Sequence, residues 1–249
     1  MKPSSRKSHA APQTAMVLAA GLGLRMRPIT NTIPKPLVSV AGKTLLDWGL
    51  DTLAASGVRK AVVNVHYFPE QIVAHVKSRS VPVISISDES DGLLDSAGGI
   101  VKALPLLGAD PFFILNADTF WIDAGRANLD RLADAWRPGE MDALLLLADM
   151  ASATGHSGST DFLVDGDGRL TRADRDPTGL IYAGVAICDP TIFAGAKPEK
   201  HSLNLYFDRA ISSGRLYGLT MQGKWITVGT PEAIPLAEAS VRAASRPPA

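Results

Sequence analysis

The sequence predicts a three-layer α/β/α domain built on a mixed, mostly parallel sheet. Three observations carry that prediction. Short apolar runs alternate with stretches of helical spacing through residues 15–148, the pattern of a sheet covered by helices on both faces. Glycine, proline or aspartate punctuates the run ends, where turns need them. Of the 249 residues, 46% are hydrophobic, enough for the core of one α/β domain.

In order, residues 15–19 (Ala-Met-Val-Leu-Ala) read as a buried strand ended by Gly21 and Gly23. Residues 45–56 read as a helix stopped by Gly57, 61–65 as a strand, 69–77 as a helix and 81–87 as a strand. Ser96 is placed to cap a helix running to Leu107. Residues 112–115 form an apolar strand followed at once by Asn116 and Asp118; 129–136 then read as helix and 143–148 as strand. The second half is richer in strands, expected over 162–164, 169–172, 180–187, 216–220 and 225–228. Helices are expected over 203–213 and 231–244, the last opened by Pro231. Asp165-Gly166-Asp167-Gly168 lacks the remaining ligands and distal Glu of a calcium loop and reads as a hairpin turn.

Residues 1–14 are polar, carry Pro3 and Pro12, and have no apolar segment of signal-peptide type, so a disordered tail is expected. The Pro-rich end, 246–249, is expected to fray, and no C-terminal repeat domain is expected. Lys plus Arg equals Asp plus Glu at 25 each, so no global field favours nucleic acid or an anionic membrane. No apolar run approaches the ~20 residues of a membrane helix. Cys188 is the single cysteine, which excludes an internal disulfide. His9, His66, His75, His156 and His201 are scattered and form no zinc pattern. A reducing, cytoplasmic location follows as the expectation. The sequence sets no oligomeric state.

The strongest motif is Leu18-Ala19-Ala20-Gly21-Leu22-Gly23-Leu24-Arg25-Met26-Arg27-Pro28, followed by Pro34-Lys35-Pro36-Leu37. Gly21 and Gly23 let the backbone approach a phosphate and offer N–H groups to it. Arg25 adds a planar, bidentate donor. Pro34 and Pro36 restrict the backbone around Lys35 and so fix its ammonium. A nucleotide P-loop is excluded because Leu24-Arg25 follows the second glycine, and a dinucleotide fingerprint because Met26 stands where a third glycine is needed. Both this loop and Asp118 follow strands of a sheet whose ligands bind beyond the carboxyl ends, so the two are expected to converge. Asp118 is an exposed carboxylate suited to Mg²⁺, which takes one or two carboxylates plus substrate phosphates.

Residues 16–40 resemble the family of sugar-1-phosphate nucleotidyltransferases, whose signature looks like Leu-Ala-Ala-Gly-x-Gly-x-Arg-x-x-Pro-x-Thr with a later Pro-Lys-Pro-Leu. Looser likeness continues to about Glu238. Ala97-Gly98-Gly99-Ile100-Val101-Lys102-Ala103-Leu104-Pro105-Leu106-Leu107-Gly108 is similar to the subgroup of N-acetylmuramic acid 1-phosphate uridylyltransferases of cell-wall recycling. The resemblance implies a Rossmann-like fold of nucleotide-diphospho-sugar transferase type. One domain over 15–245 is expected, with a nucleotide-binding half at about 15–150 and a sugar-binding half at about 151–245. It implies a nucleoside triphosphate and a sugar 1-phosphate as partners, Mg²⁺ as cofactor, and release of pyrophosphate. It implies catalytic roles for Arg25, Lys35 and Asp118. Nucleotide contacts would come from Ala19, Ala20, Gly21, Gly23 and Gly98, with Glu89 for the base. The sugar would meet Asn116, Ala183 and Gly184. Asp174 and Arg175 stand near the family's pair for sugar and phosphate, although the charged stretch 172–176 also reads as a solvated turn.

The chain departs from the family at one place. A second metal-binding Asp is usual in Trp-x-Asp-x-Gly-Thr, and Trp225-Ile226-Thr227-Val228-Gly229-Thr230 has Thr227 there. Three readings stay open: Asp118, phosphates and water hold the metal; Asp161 or Asp208 substitutes; or the protein binds nucleotide without turning it over. Guanylyl or cytidylyl transfer to another sugar or alcohol phosphate is the alternative chemistry. The attacking phosphate is already an anion at pH 7, so in-line transfer needs no general base.

Overall fold

The computed structural model describes residues 11–245. The expected tail at 1–10 and the frayed end at 246–249 lie outside the described residues. Thr14, placed in the tail by sequence, instead begins the first strand, where it pairs with Lys60.

Along the chain run β1 (Thr14–Leu18), β2 (Ser39–Val40), β3 (Lys43–Thr44), α1 (Leu45–Ala55), β4 (Lys60–Val65), α2 (Pro69–Val76), β5 (Val83–Asp88) and α3 (Asp95–Leu107). β6 (Phe112–Asn116), β7 (Thr119–Asp123), α4 (Asn128–Ala135), β8 (Ala143–Ala148), β9 (Ala153–Thr154), β10 (Phe162–Val164) and β11 (Leu170–Arg172) follow. The chain continues through β12 (Ile181–Cys188), α5 (Asn204–Ser212), β13 (Leu216–Thr220), β14 (Gly223–Thr227) and α6 (Ala233–Ala244). The central sheet has seven strands in the order β13-β8-β12-β6-β1-β4-β5. All its neighbours pair in parallel except β12, which runs antiparallel to both β6 and β8. This is the mixed, mostly parallel sheet that the sequence predicts.

The period-2 alternation of a strand sets the two faces. On β1, Ala15 and Val17 point into a core with α1, α2 and α4, whereas Met16 points into one with α3 and α5. A third, smaller core lies outside the sheet. There Met26, Val38 and Val40 of the glycine-loop region pack with Phe120 of β7, Ile226 and Val228 around β14, and Ala233 and Ala237 of α6. The loop that opens the chain is thus anchored by the helix that closes it.

Several local readings need correction. Ser96 does not cap α3: Leu94 holds that position, and Ser96 Oγ instead accepts from Leu203 N–H at 2.9 Å. α6 starts at Ala233, not Pro231, with Pro235 in its first turn, where a missing N–H costs no helical bond. β7 was not expected. It pairs antiparallel with β14, a long-range partner that no local pattern announces. Asp165–Gly168 is the turn between β10 and β11, with Asp165 Oδ1 accepting from Asp167 N–H and Arg169 N–H.

Candidate active site

Two adjacent parallel strands bring the motifs together. β1 and β6 pair with Leu18 opposite Asn116, so both chains leave the sheet at the same edge. Ala117 N–H then donates to Leu18 O at 3.1 Å and holds the two exits side by side. A cleft of about 420 Å³ opens there, lined by Ala19, Ala20, Gly21, Lys35, Asn116 and Asp118. Asn64, Asp95, Ser96 and Lys200 face it from the other side.

The glycine loop is shaped by fixed neighbours. Gly23 adopts φ 62°, and a Cβ there would press on Thr30 and Lys35, so glycine is required. The buried Thr30 hydroxyl donates to Gly23 O at 2.8 Å. Gly21 has open space around its Cα and lines the cleft. The N–H groups of residues 20–23 meet no acceptor among the described residues. Backbone donors left free at a concave surface form an anion cradle.

Lys35 Nζ lies 2.6 Å from Asp118 Oδ2, with the two side chains 12% and 35% exposed. The pair joins the Pro-Lys-Pro segment to the end of β6 across 83 positions of sequence. Asp118 is also fixed by its backbone, since Val228 N–H donates to its carbonyl at 3.1 Å. That places Thr227, paired with Thr119, beside the site. Arg25 does not line the cleft. Its exposed guanidinium stands over Gly229, where an added Cβ would lie 3.5 Å from Nη1.

Other residues singled out from sequence act differently from expectation. Glu89 is 0% exposed and does not reach the cleft. Oε1 accepts from Asn64 Nδ2 at 2.7 Å and Oε2 from Leu94 N–H at 3.1 Å, while Asn64 Oδ1 accepts from Ala19 N–H at 2.7 Å. Glu89 is therefore a positioning residue that fixes the start of the glycine loop through Asn64. Gly98 faces chain, not open space: a Cβ there would collide with Glu199 O. Its N–H and that of Ala97 donate to His201 O, so residues 199–201 form a strap over the start of α3 and bring Lys200 to the cleft. Ala183 is 0% exposed, and its carbonyl accepts from Thr119 Oγ1 at 3.2 Å and Trp225 Nε1 at 3.0 Å. It is core, not a sugar contact. Gly184 is also buried, with φ 78°, and abuts Asn116 at an irregularity of β12.

Asp174 and Arg175 are not brought to this cleft. They line a separate cavity of about 350 Å³ with Ser159, Thr160, Asp161 and Arg172. Neither carboxylate considered as a replacement metal ligand lines the first cleft. Asp161 Oδ2 accepts from Tyr182 N–H at 2.8 Å, and Asp208 pairs with Arg172 at 2.8 Å.

Sequence reasoning missed Asn64, Asp95 and Lys200. Asn64 had a signal: a polar residue inside an apolar strand must find partners. Lys200 had none, because only the strap's contact with Gly98 brings it to the site.

The comparisons agree with this geometry. The family of MobA-like NTP transferase domains matches residues 15–156. An N-acetylmuramate alpha-1-phosphate uridylyltransferase of Caulobacter vibrioides is 44% identical over 92% of this chain and 97% of its own. A protein of the same name from Neisseria meningitidis serogroup B is 35% identical over 87% of this chain and 93% of its own. Among solved structures, the inositol-1-phosphate CTP transferase of T. maritima superposes with a TM-score of 0.77 at 17% identity, covering 96% of this chain and 99% of that one; it shares the fold. The chain belongs to the MobA-like NTP transferase family, on the branch of the sugar-1-phosphate nucleotidyltransferases.

Proposed function

We propose that this protein transfers the uridylyl group of UTP to N-acetylmuramic acid 1-phosphate, in the cytoplasmic reuse of cell-wall sugar, and releases pyrophosphate. The observation that carries the reading is the Lys35–Asp118 pair at the mouth of the glycine loop, in a chain so similar to two uridylyltransferases over nearly its full length. The free N–H groups of residues 20–23 hold the triphosphate. Lys35 faces the α-phosphate and offsets charge that grows as the sugar phosphate oxygen attacks in line. Arg25, at the rim over Gly229, meets the outgoing pyrophosphate. Asn116, packed beside Gly184, orients the acceptor.

The donor set fits one phosphate-borne Mg²⁺. Lys35 occupies Asp118 Oδ2 and leaves Oδ1 open. Among the described residues no three acidic, His or Cys side chains gather to hold a metal alone. Mg²⁺ accepts a single carboxylate when phosphates and water complete its shell, so Asp118 would hold it and Thr227 need not. When bound, the ion supplies further neutralisation of the phosphate oxygens.

Pyrophosphate release measured with UTP, GTP, CTP and dTTP against a panel of sugar phosphates tests the reading. UTP with N-acetylmuramic acid 1-phosphate should exceed every other pair. A better pair would replace the substrate assignment. Tight nucleotide binding with no release from any pair would make the protein a non-catalytic sensor, the outcome that Thr227 raises.

A further inference from the structure

A third cavity, of about 370 Å³, opens against the strap 199–201. It shares no lining residue with the cleft or with the cavity around Asp174. Side chains alternate along the strap: Glu199 and His201 line this cavity, whereas Lys200 lines the cleft. One short segment therefore forms part of two separate concavities.

Two cations enter the third cavity from different elements, Lys197 from the turn before the strap and Arg209 from α5. Both are exposed, and neither forms an ion pair among the described residues. An ammonium and a guanidinium sharing one concavity suit a phosphate, which arginine meets with two parallel hydrogen bonds. Glu199 is exposed in the same lining, and a carboxylate there accepts from hydroxyl groups. The phenol ring of Tyr206 is buried, at 3% exposure, so it offers no open face for a base to stack on. These groups match the phosphate ester of a sugar or polyol better than a nucleotide.

Measured contacts run from this cavity to the cleft. The Arg209 guanidinium lies 5.4 Å over the Tyr206 ring, and the Tyr206 hydroxyl lies 2.9 Å from His201 Nε2. His201 Nδ1 donates to Glu199 O at 2.6 Å, as it must, since a carbonyl only accepts. The His201 backbone then grips α3: its carbonyl accepts from Ala97 N–H at 3.1 Å and Gly98 N–H at 3.3 Å, and its N–H donates to Leu94 O at 3.2 Å. Lys197 is tied to the strap as well, because Glu199 N–H donates to its carbonyl at 2.8 Å across Pro198, whose φ is fixed. α5 is anchored in the core by Tyr206, Phe207 and Ala210.

We propose that this cavity is a second binding site, for the phosphate ester of a sugar or polyol, and that its occupant strengthens nucleotide binding in the cleft. The ester phosphate bridges Lys197 and Arg209, and its hydroxyls meet Glu199. The bridge fastens the strap to the core-anchored helix, which holds Lys200 at the cleft. Coupling of this kind is reciprocal, so nucleotide also tightens the ester. The coupling rests on the nucleotide reading of the cleft; the site itself does not.

The test uses glucose 6-phosphate, whose phosphate is not on the anomeric carbon, with inorganic phosphate as a comparison. His201 ring resonances, assigned by their loss in His201→Gln, report the site directly. Glucose 6-phosphate should shift them saturably, and more tightly than inorganic phosphate, in the unaltered protein but not in the double variant Lys197→Gln/Arg209→Gln. Both substitutions are at exposed positions, so the melting point should hold. Saturating ester should lower the Kd for UTP by about 5-fold in the unaltered protein and leave it unchanged in the double variant. No shift, a shift of equal size in the double variant, or inorganic phosphate binding as tightly as the ester would overturn the site. A Kd for UTP that stays constant or rises would overturn the coupling. Absence of UTP binding under every condition would remove the nucleotide reading, and the His201 resonances would still decide the site.

Discussion

The glycine loop and the stretch 172–184 meet the same edge of the sheet, yet they are built in opposite ways. The loop is one continuous segment: residues 19–23 leave β1, and Lys35 returns after two short turns. Its chemistry is written in consecutive residues. The stretch 172–184 is assembled from a hairpin, a turn with two left-handed residues and an irregular strand. Each contributes a residue or two, and contacts distant in sequence decide which of them face a ligand. On the proposed reading, the phosphate side takes its donors from one local stretch that distant residues only support, whereas the sugar side takes its donors themselves from tertiary placement.

The sharpest way to break that contrast is through Lys35. Lys35→Ala should cut turnover by about 10²–10³-fold, with little change in the thermal midpoint, since the partner Asp118 remains partly solvated. Near-normal turnover would mean that the loop's own chemistry is not what the site uses. Next comes the hidden support. Asn64→Leu leaves Ala19 N–H and the buried Glu89 Oε1 without partners, so stability should fall by about 2–3 kcal/mol, seen as a shifted denaturation midpoint. A neutral result would show that the loop stands without its scaffold.

A smaller loss is expected from Gly98→Ala. The added methyl meets the Glu199 carbonyl, and overpacking of this kind destabilises by about 1–3 kcal/mol. Because the strap would lift and carry Lys200 away, KM for nucleotide should rise more than the melting shift explains. A rise in KM absent from the kinetics would detach Lys200 from the site.

The smallest effect is a pH dependence remote from both walls. Burial pushes the Asp47 carboxyl up, but hydrogen bonds from Thr44, Arg79 and His75 outweigh it and hold it below its usual value. Asp51 is likewise raised by burial and lowered more by Lys43 and Arg79. A carboxyl with a depressed folded pKa adds stability that is present above the unfolded value near 4 and lost as pH falls through the folded value. Melting should therefore weaken on acidification below about pH 4, and less steeply in Asp51→Asn. Equal steepness in both proteins would remove this network as the cause.

Much of this was legible beforehand. The parallel strands, the sheet's class and the loop could be read because each rests on local periodicity or on glycine and proline chemistry. β7 could not, because its partner β14 lies about a hundred positions on. Glu89 and Ala183 were read as ligand contacts because type and position suggest reach, and only burial shows that their polar atoms are already engaged. Gly98 was read as a nucleotide contact, whereas the space beside it is filled by the Glu199 carbonyl of the chain itself. Lys200 stayed invisible because nothing local marks it.

The Lys35–Asp118 pair means that the cleft carries its own counterion. An ammonium has three N–H donors, so an incoming polyphosphate would share Lys35 with Asp118, and a small anion such as inorganic phosphate would meet a cation whose charge is already partly offset. On the proposed reading, discrimination between nucleotide and the abundant small anions of a cell would then rest on how many contacts a ligand makes within the cleft, and not on how strongly the surface attracts negative charge from a distance.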